Sequence, residues 1–292
     1  MEDPQSYRAV DVPVRGGDLR VGVWNPVQGA KSDVATVVFI HGVTASHRAW
    51  VTVAERLSDV RVVAPDLRGR GRSNGLPGPY GLAQHADDIA AAMDSLDIPD
   101  AVVVGHSMGG FVAAAFNARH PDRVRSLVLV DGGLPLAAPV DLGLAARRLT
   151  MTFPDYESYR ELWKSHPAFA ADWGDAVRDY ADYDLVGEPG ELRPSTAVAA
   201  LEQDSVDQLD REGVLAALNH LPVGTPFLRA PRGFIDDEPG LYPLDWVAEV
   251  RLQIPELDVR EIDGVNHYTI VMNDKGAVAV IAAIREALES QP

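Results

Sequence analysis

The feature that most constrains the fold is a serine enclosed by glycines, between an apolar run and a helix-forming stretch. The segment AVVVGHSMGGFVAAAFNARH begins at Ala101 and places Ser107 between Gly105 and Gly109. The apolar run predicts a buried strand and the stretch after it predicts a helix, so the serine lies in a tight strand-to-helix turn. A serine in such a turn takes a strained backbone conformation, which its flanking glycines accommodate without clashes. The segment therefore predicts a serine hydroxyl lifted out of a sheet.

The rest of the chain predicts the sheet to which this turn belongs. Two β-rich segments between Tyr7 and Trp24 flank the turn residues Arg15–Asp18 and predict an antiparallel hairpin. Apolar runs such as VATVVFI then alternate with helical patterns as far as Asp131. Buried strands separated by helices predict an α/β fold with a doubly wound, mostly parallel sheet and helices on both faces.

The alternation is interrupted once. It stops after Gly133 and returns near the strand-like run TPFLRA, and the stretch between is helical or irregular and rich in aromatic residues. We therefore predict a core formed by residues 1–133 and 222–292, with a helical cap inserted at 134–221. Tyr156, Tyr159 and Trp163 fall on one predicted helical face, a spacing that favours packing on the core over lining a pocket.

Composition narrows the partners and the compartment. The formal net charge of -17 disfavours binding to nucleic acid or to anionic membranes. No apolar run reaches the roughly 20 residues that span a bilayer. The start of the chain lacks the basic and apolar segments of a secretory signal, so we expect a cytoplasmic protein.

The chain has 0 cysteines, which excludes a cysteine nucleophile and thiolate metal sites. No histidine-pair motif, phosphate loop or dinucleotide fingerprint occurs, so we expect a small-molecule substrate and neither metal nor cofactor.

Three segments together resemble the α/β-hydrolase superfamily, in its serine esterase and lactonase-like branch. They are VVFIHGVTASHRAW, APDLRGRGRS and VVVGHSMGGFVAAAFNARHPDRVRSLVLVD. The resemblance implies an eight-stranded sheet and makes Ser107 the nucleophile. The backbone N–H of Met108 begins the helix and is expected to face a developing oxyanion. The resemblance implies that the Val43 N–H is the second oxyanion donor, and that His41 and Asp66 are structural.

A serine hydroxyl needs a base to accept its proton and a carboxylate to orient that base. The resemblance implies that the base is His267, in the loop DGVNHYTIV before the last helix. The carboxylate is expected between Ser107 and His267 in the chain. We prefer Asp236, which follows TPFLRA at the spacing usual in the family. Asp237 and Asp131, at the end of VLVD, remain alternatives.

These residues predict a hydrolase that cleaves a carboxylic ester or lactone of a hydrophobic small molecule through an acyl-enzyme. Relatives with this fold also include C–C bond hydrolases and perhydrolases, which remain alternatives. The C–C hydrolases usually have Asn where this chain has His106. A receptor without catalytic activity is the alternative from another class, since fold does not determine function. The sequence contains no signal for the oligomeric state.

Overall fold

A twisted sheet of eight strands organises the protein in the computed structural model, which describes residues 7–25 and 34–289. In chain order its strands are β1 (Tyr7–Val14), β2 (Gly17–Trp24), β3 (Thr36–Ile40), β4 (Arg61–Pro65), β5 (Ala101–His106), β6 (Val124–Val130), β9 (Thr225–Arg229) and β10 (Leu257–Glu261). Their spatial order is β1-β2-β4-β3-β5-β6-β9-β10. The hairpin β1–β2 is antiparallel, β2 pairs antiparallel with β4, and the later pairings are parallel. The predicted α/β fold and its mostly parallel eight-stranded sheet are confirmed.

Burial explains why these segments form strands. All residues of β3, β5 and β9 are buried, as expected of parallel strands covered on both faces. The edge strand β1 is largely exposed, with Val12 as its buried residue, because only one of its faces meets the core. At the β1–β2 turn Gly16 has φ +93°, a conformation that glycine adopts without strain.

Helices cover both faces of the sheet. Their bounds are α1 (Val51–Ala54), α2 (Leu82–Ser95), α3 (Met108–Arg119), α4 (Leu144–Arg147), α5 (Tyr156–Lys164), α6 (Asp175–Asp184), α7 (Val198–Leu209), α8 (Arg211–Leu218), α9 (Leu244–Gln253), α10 (Thr269–Met272) and α11 (Asp274–Glu289). One face carries a cluster that includes Trp50 and Ile284, from the α1 and α11 side. The other carries Ile89, Phe116 and Val250, from α2, α3 and α9. Two hydrophobic layers therefore enclose the parallel strands.

The residues between β6 and β9 form what we call the inserted segment. It contains α4 to α8 and a short antiparallel pair, β7 (Leu185–Val186) with β8 (Arg193–Pro194). On α5, Tyr159 and Trp163 are buried in the core cluster whereas Tyr156 is exposed, so this helical face serves packing. The boundaries 134–221 stay a prediction.

Among the described residues, none of the helices is long and apolar enough to cross a membrane.

Candidate active site

The turn at Ser107 joins the last residue of β5 to the first of α3. Ser107 has φ 56° and ψ -126°, the strained conformation expected of a serine between strand and helix. A Cβ at Gly105 would lie 2.1 Å from the Gly109 carbonyl oxygen, and a Cβ at Gly109 would lie 2.1 Å from that of Ile40. The glycines are therefore required by close packing of backbone against backbone around the serine.

His267 approaches the serine from the loop between β10 and α10. Its Nε2 lies 3.0 Å from Ser107 Oγ. The adjacent Asn266 shapes the loop, because its Oδ1 accepts hydrogen bonds from the Tyr268 and Thr269 N–H groups, at 3.0 Å each. These bonds fix the backbone that carries the imidazole.

Asp131 completes a continuous chain of contacts. It follows β6 directly, and its Oδ2 accepts a hydrogen bond from His267 Nδ1 at 2.7 Å. Its Oδ1 accepts from the Ala230 N–H at 3.0 Å, and the side chain is fully buried. Since Asp131 accepts a hydrogen bond from His267 Nδ1, a neutral His267 carries its proton on that nitrogen. The lone pair of Nε2 then faces Ser107 Oγ.

The preference for Asp236 as the partner of His267 is wrong. Its carboxylate accepts hydrogen bonds from Arg232 Nη1 and Asn266 Nδ2, each at 2.9 Å. Asp237 is engaged in its own loop, where its carbonyl accepts from the Gly233 N–H at 2.8 Å. The chain after β9 folds back on itself here, and Arg232 and Asn266 occupy the Asp236 carboxylate. The alternative, Asp131, comes from the strand beside β9 and is the carboxylate that contacts His267.

The loop after β3 passes close to the serine. A Cβ at Gly42 would lie 3.1 Å from Ser107 Cβ, so this backbone runs directly beside the nucleophile. His41 Nδ1 donates to the Gly42 carbonyl at 2.8 Å, and its Nε2 accepts from the Leu67 N–H at 2.9 Å. Burial lowers the pKa of His41 to about 4, which keeps the ring neutral for both bonds. His41 thereby holds the peptide group whose N–H belongs to Val43.

The Met108 N–H is the first of α3 and has no intrahelical acceptor. Val43 and Ser107 border the same two cavities. The arrangement is compatible with the predicted oxyanion donors at Val43 and Met108, whose role stays a prediction.

His106 makes a contact that the sequence did not indicate. Its Nε2–H donates to the His267 carbonyl oxygen at 2.8 Å, and the two rings lie 4.9 Å apart. Burial, followed by the nearby charge of His267, lowers the pKa of His106 well below its usual value. The residue before the serine therefore supports the backbone of the histidine across the site.

Two cavities meet at Ser107. The larger has a volume of about 90 Å³ and is bordered mainly by apolar side chains, among them Phe111, Leu136, Val140, Leu209 and Leu241. The smaller, of about 30 Å³, lies between His106, His267, Ala45, Tyr180, Tyr268 and Met272. Leu142 and Phe234 border both. The residues bordering the two cavities include no Asp, Glu, Lys or Arg.

The sequence did not indicate which aromatic residues border the site. Tyr180 of the inserted segment, and Phe234 and Tyr268 from the loops after β9 and β10, do so. In residues 7–25 and 34–289 no group of three or more histidine or carboxylate side chains is arranged to hold a metal ion.

A family model of the alpha/beta hydrolase fold matches residues 35–208, and the chain belongs to this family. It is 40% identical over 119 residues to lipase LipV of Mycobacterium tuberculosis, which covers 41% of this chain and 43% of that protein. It is 32% identical over 173 residues to 2-(acetamidomethylene)succinate hydrolase of Mesorhizobium japonicum, covering 57% of this chain and 60% of the relative.

The solved structure of an E-2-(acetamidomethylene)succinate hydrolase superposes with a TM-score of 0.76 at 23% identity, covering 98% of this chain and 100% of the other. This likeness shows the fold. In the sequence comparisons, by contrast, the chain matches less than two thirds of the length of the lipase and of the Mesorhizobium japonicum hydrolase.

Proposed function

We propose that this protein is a carboxylic ester hydrolase that acts through an acyl-enzyme on Ser107. The observation that carries the proposal is the chain of contacts from Ser107 Oγ to His267 Nε2 at 3.0 Å, and from His267 Nδ1 to Asp131 at 2.7 Å. In this arrangement a serine hydroxyl has a base in reach and the base has a carboxylate that orients it. The similarity to a protein named lipase favours ester substrates.

The reaction proceeds in two halves. Ser107 Oγ attacks the ester carbonyl while His267 Nε2 accepts its proton, and Asp131 stabilises the imidazolium that forms. The N–H groups of Val43 and Met108 hold the oxyanion of the tetrahedral intermediate. His267 then gives the proton to the departing alcohol, which leaves the acyl group on Ser107. Water then attacks the acyl carbonyl while His267 accepts one of its protons. The bond between the acyl carbon and Ser107 Oγ breaks, the acid leaves, and His267 returns the proton to Ser107 Oγ.

The cavities suggest an uncharged substrate with two unequal parts. Apolar walls favour hydrophobic groups on both sides of the scissile bond, and the volumes of about 90 and 30 Å³ fit one medium and one short group. A lactone fits if its ring occupies the larger cavity. We do not propose the succinate derivative named for one relative, because neither cavity is bordered by a cationic side chain that would pair with its carboxylates.

The test combines turnover with covalent labelling. We expect the purified protein to hydrolyse p-nitrophenyl esters of short and medium acyl chains, and a fluorophosphonate to add to the peptide that contains Ser107. Ser107→Ala should abolish both. Labelling that persists in this variant, or unchanged turnover, would refute the proposal. In the same panel, turnover of a vinylogous diketone tests the C–C hydrolase alternative, and a peracid assay tests the perhydrolase alternative. Micromolar binding of a hydrophobic ligand without turnover would indicate a receptor.

A further inference from the structure

Two consecutive carbonyl groups beside the nucleophile are each held by a buried arginine. Residues 41–45, which we call the oxyanion loop, include the proposed donor Val43. Arg70 Nε donates to the Val43 carbonyl at 2.9 Å, and Arg148 Nη2 donates to the Thr44 carbonyl at 2.8 Å. Both arginines are fully buried. Together with His41, which holds the Gly42 carbonyl, they leave three successive peptide groups of this loop fixed by side chains.

The inserted segment supplies the carboxylate that pairs with Arg70. Asp204 on α7 is fully buried, and its Oδ2 lies 2.5 Å from Arg70 Nη2. The same carboxylate accepts from the Gly81 N–H at 2.7 Å and contacts His85 Nε2 at 3.0 Å. Burial raises the pKa of Asp204, but the bond from His85 and the charge of Arg70 outweigh it, so the net shift is downward and the carboxylate stays ionised.

The second arginine belongs to the inserted segment itself. Arg148 Nη2 lies 3.0 Å from Asp184 Oδ2 at the end of α6. Asp184 also accepts from the Tyr159 hydroxyl and, at 2.9 Å, from Ser195 Oγ. Ser195 Oγ in turn accepts from the Gly71 N–H of the core at 3.1 Å. The inserted segment is thus fixed to the oxyanion loop and the core by the buried Arg70–Asp204 pair and by the bond from Arg148 to the Thr44 carbonyl.

We propose that the inserted segment positions the oxyanion hole, with Arg70 and Arg148 as positioning residues and Asp204 and Asp184 as the carboxylates that hold them. The inference rests on the proposed function, because the Val43 N–H matters to catalysis only if Ser107 attacks a carbonyl. Oxyanion donors work when they are aimed in advance at the site where negative charge develops. A shift of about 1 Å in such a group lowers turnover strongly while leaving apolar substrate binding nearly unchanged.

The buried charged contacts restrict how far the inserted segment can move from the core. A buried charge that loses its partner is strongly destabilised, and lifting this segment from the core would separate Asp204 from Arg70 and Arg148 from the Thr44 carbonyl. The segment therefore stays seated during turnover. The larger cavity borders Ser107 and is lined in part by Leu209 on α7, which is 48% exposed.

The chain provides a matched control for the test. Arg68 is 1% exposed and forms a bidentate pair with the buried Asp88, at 2.8 Å for each bond. It lies two residues from Arg70, but its remaining bonds go to the Pro77 and Arg15 carbonyls, away from the oxyanion loop. Replacing Arg68 removes a buried ion pair of the same kind without touching the carbonyls of Val43 and Thr44.

The experiment compares Arg148→Met and Asp204→Asn with Arg68→Met, each assayed at least 10 °C below its own melting temperature. Asp204→Asn keeps a hydrogen-bond acceptor for Gly81 and serves if Arg148→Met fails to fold. We expect kcat on a p-nitrophenyl ester to fall about 10- to 100-fold in both test variants, with KM within about threefold of the wild type. The affinity of an alkyl boronic acid, whose adduct with Ser107 places an oxygen in the oxyanion hole, should fall in parallel. Arg148→Lys should recover part of the loss because it keeps a charged donor.

Two results would overturn the inference while the wild type remains active. One is a folded Arg148→Met or Asp204→Asn with wild-type kcat and wild-type boronate affinity. The other is an equal loss in Arg68→Met, which would assign the effect to general destabilisation. A wild type that neither hydrolyses esters nor labels at Ser107 would instead overturn the proposed function, and this inference with it.

Discussion

Asp131 Oδ2 and His267 Nδ1 lie 2.7 Å apart although 136 residues separate them in the chain. Sheet order explains the contact, because β6, which ends directly before Asp131, pairs with β9, and β9 pairs with β10. The loop after β10 carries His267 back across the end of β9 to the carboxylate. Asp236 lies in the loop after β9 and instead binds the neighbouring Arg232 and Asn266.

The first prediction separates these two carboxylates. Asp131→Asn should lower kcat by about 10³- to 10⁴-fold, because an amide donor at this position favours the wrong tautomer of His267. Asp236→Asn keeps an acceptor for Asn266 and should change kcat by less than about tenfold. Steady-state kinetics on one chromogenic ester measures both. A larger loss in Asp236→Asn than in Asp131→Asn would return the catalytic role to Asp236.

The second prediction concerns His106, which donates from Nε2 to the His267 carbonyl. His106→Gln places an amide N–H near the position of Nε2 and should keep kcat within about threefold of the wild type. His106→Asn is too short to reach that carbonyl, so His267 loses backbone support and kcat should fall about tenfold. Equal kinetics in the two variants would show that the bond to His267 does not matter for turnover.

The serine turn was predictable from the sequence because its determinants are contiguous. Strand, glycines, serine and helix start follow one another from Ala101 to Arg119. The contact that excludes a side chain at Gly105 is with Gly109 in this same segment, whereas the one at Gly109 is with Ile40 of β3. The position of His267 followed from the resemblance of its loop to a known family.

The sequence alone could not identify the carboxylate that contacts His267, or the side chains that hold the oxyanion loop. Both depend on how the fold brings distant segments of the chain together. Choosing Asp131 over Asp236 requires knowing that the loop after β9 folds back onto Arg232. The pairing of Arg70 with Asp204 joins a core loop to a helix far along the chain, and the spacing of charges does not encode it. The aromatic spacing on α5 indicated an amphipathic helix and its packing role, but not that Tyr159 would donate to Asp184 beside Arg148.

The third prediction tests the larger cavity as the site for the bulkier part of the ester. Val140→Trp should fill part of the space of about 90 Å³ and lower kcat/KM for p-nitrophenyl hexanoate by about tenfold or more relative to the acetate. Leu252→Trp, at a position 86% exposed on α9, is the control and should leave the ratio of hexanoate to acetate unchanged. An unchanged ratio in Val140→Trp would place the bulkier group elsewhere.

The fourth prediction follows from the lowered pKa of His41. Burial brings this pKa to about 4 in the folded protein, against an ordinary value of 6.5 for histidine. Below pH 6.5 the unfolded chain binds a proton at His41 that the folded protein does not bind until about pH 4. The free energy of unfolding should therefore fall as the pH falls from 6.5 to 4, by up to about 3 kcal/mol from this residue. The buried His106, whose pKa is also lowered, adds to the effect in the same direction.

Urea unfolding at pH 7.5, 6.0 and 5.0 measures the slope. His41→Asn retains an amide N–H that can donate to the Gly42 carbonyl, but it has no group that titrates in this range. It should be less stable than the wild type at pH 7.5, because the Leu67 N–H loses its acceptor, yet its stability should change less between pH 6 and 5. Asp66 and Arg70 lie near His41 and remain charged throughout this range, so they do not reproduce the slope. The same pH dependence in His41→Asn as in the wild type would show that His41 does not remain neutral in the folded protein, or that other groups control its acid stability.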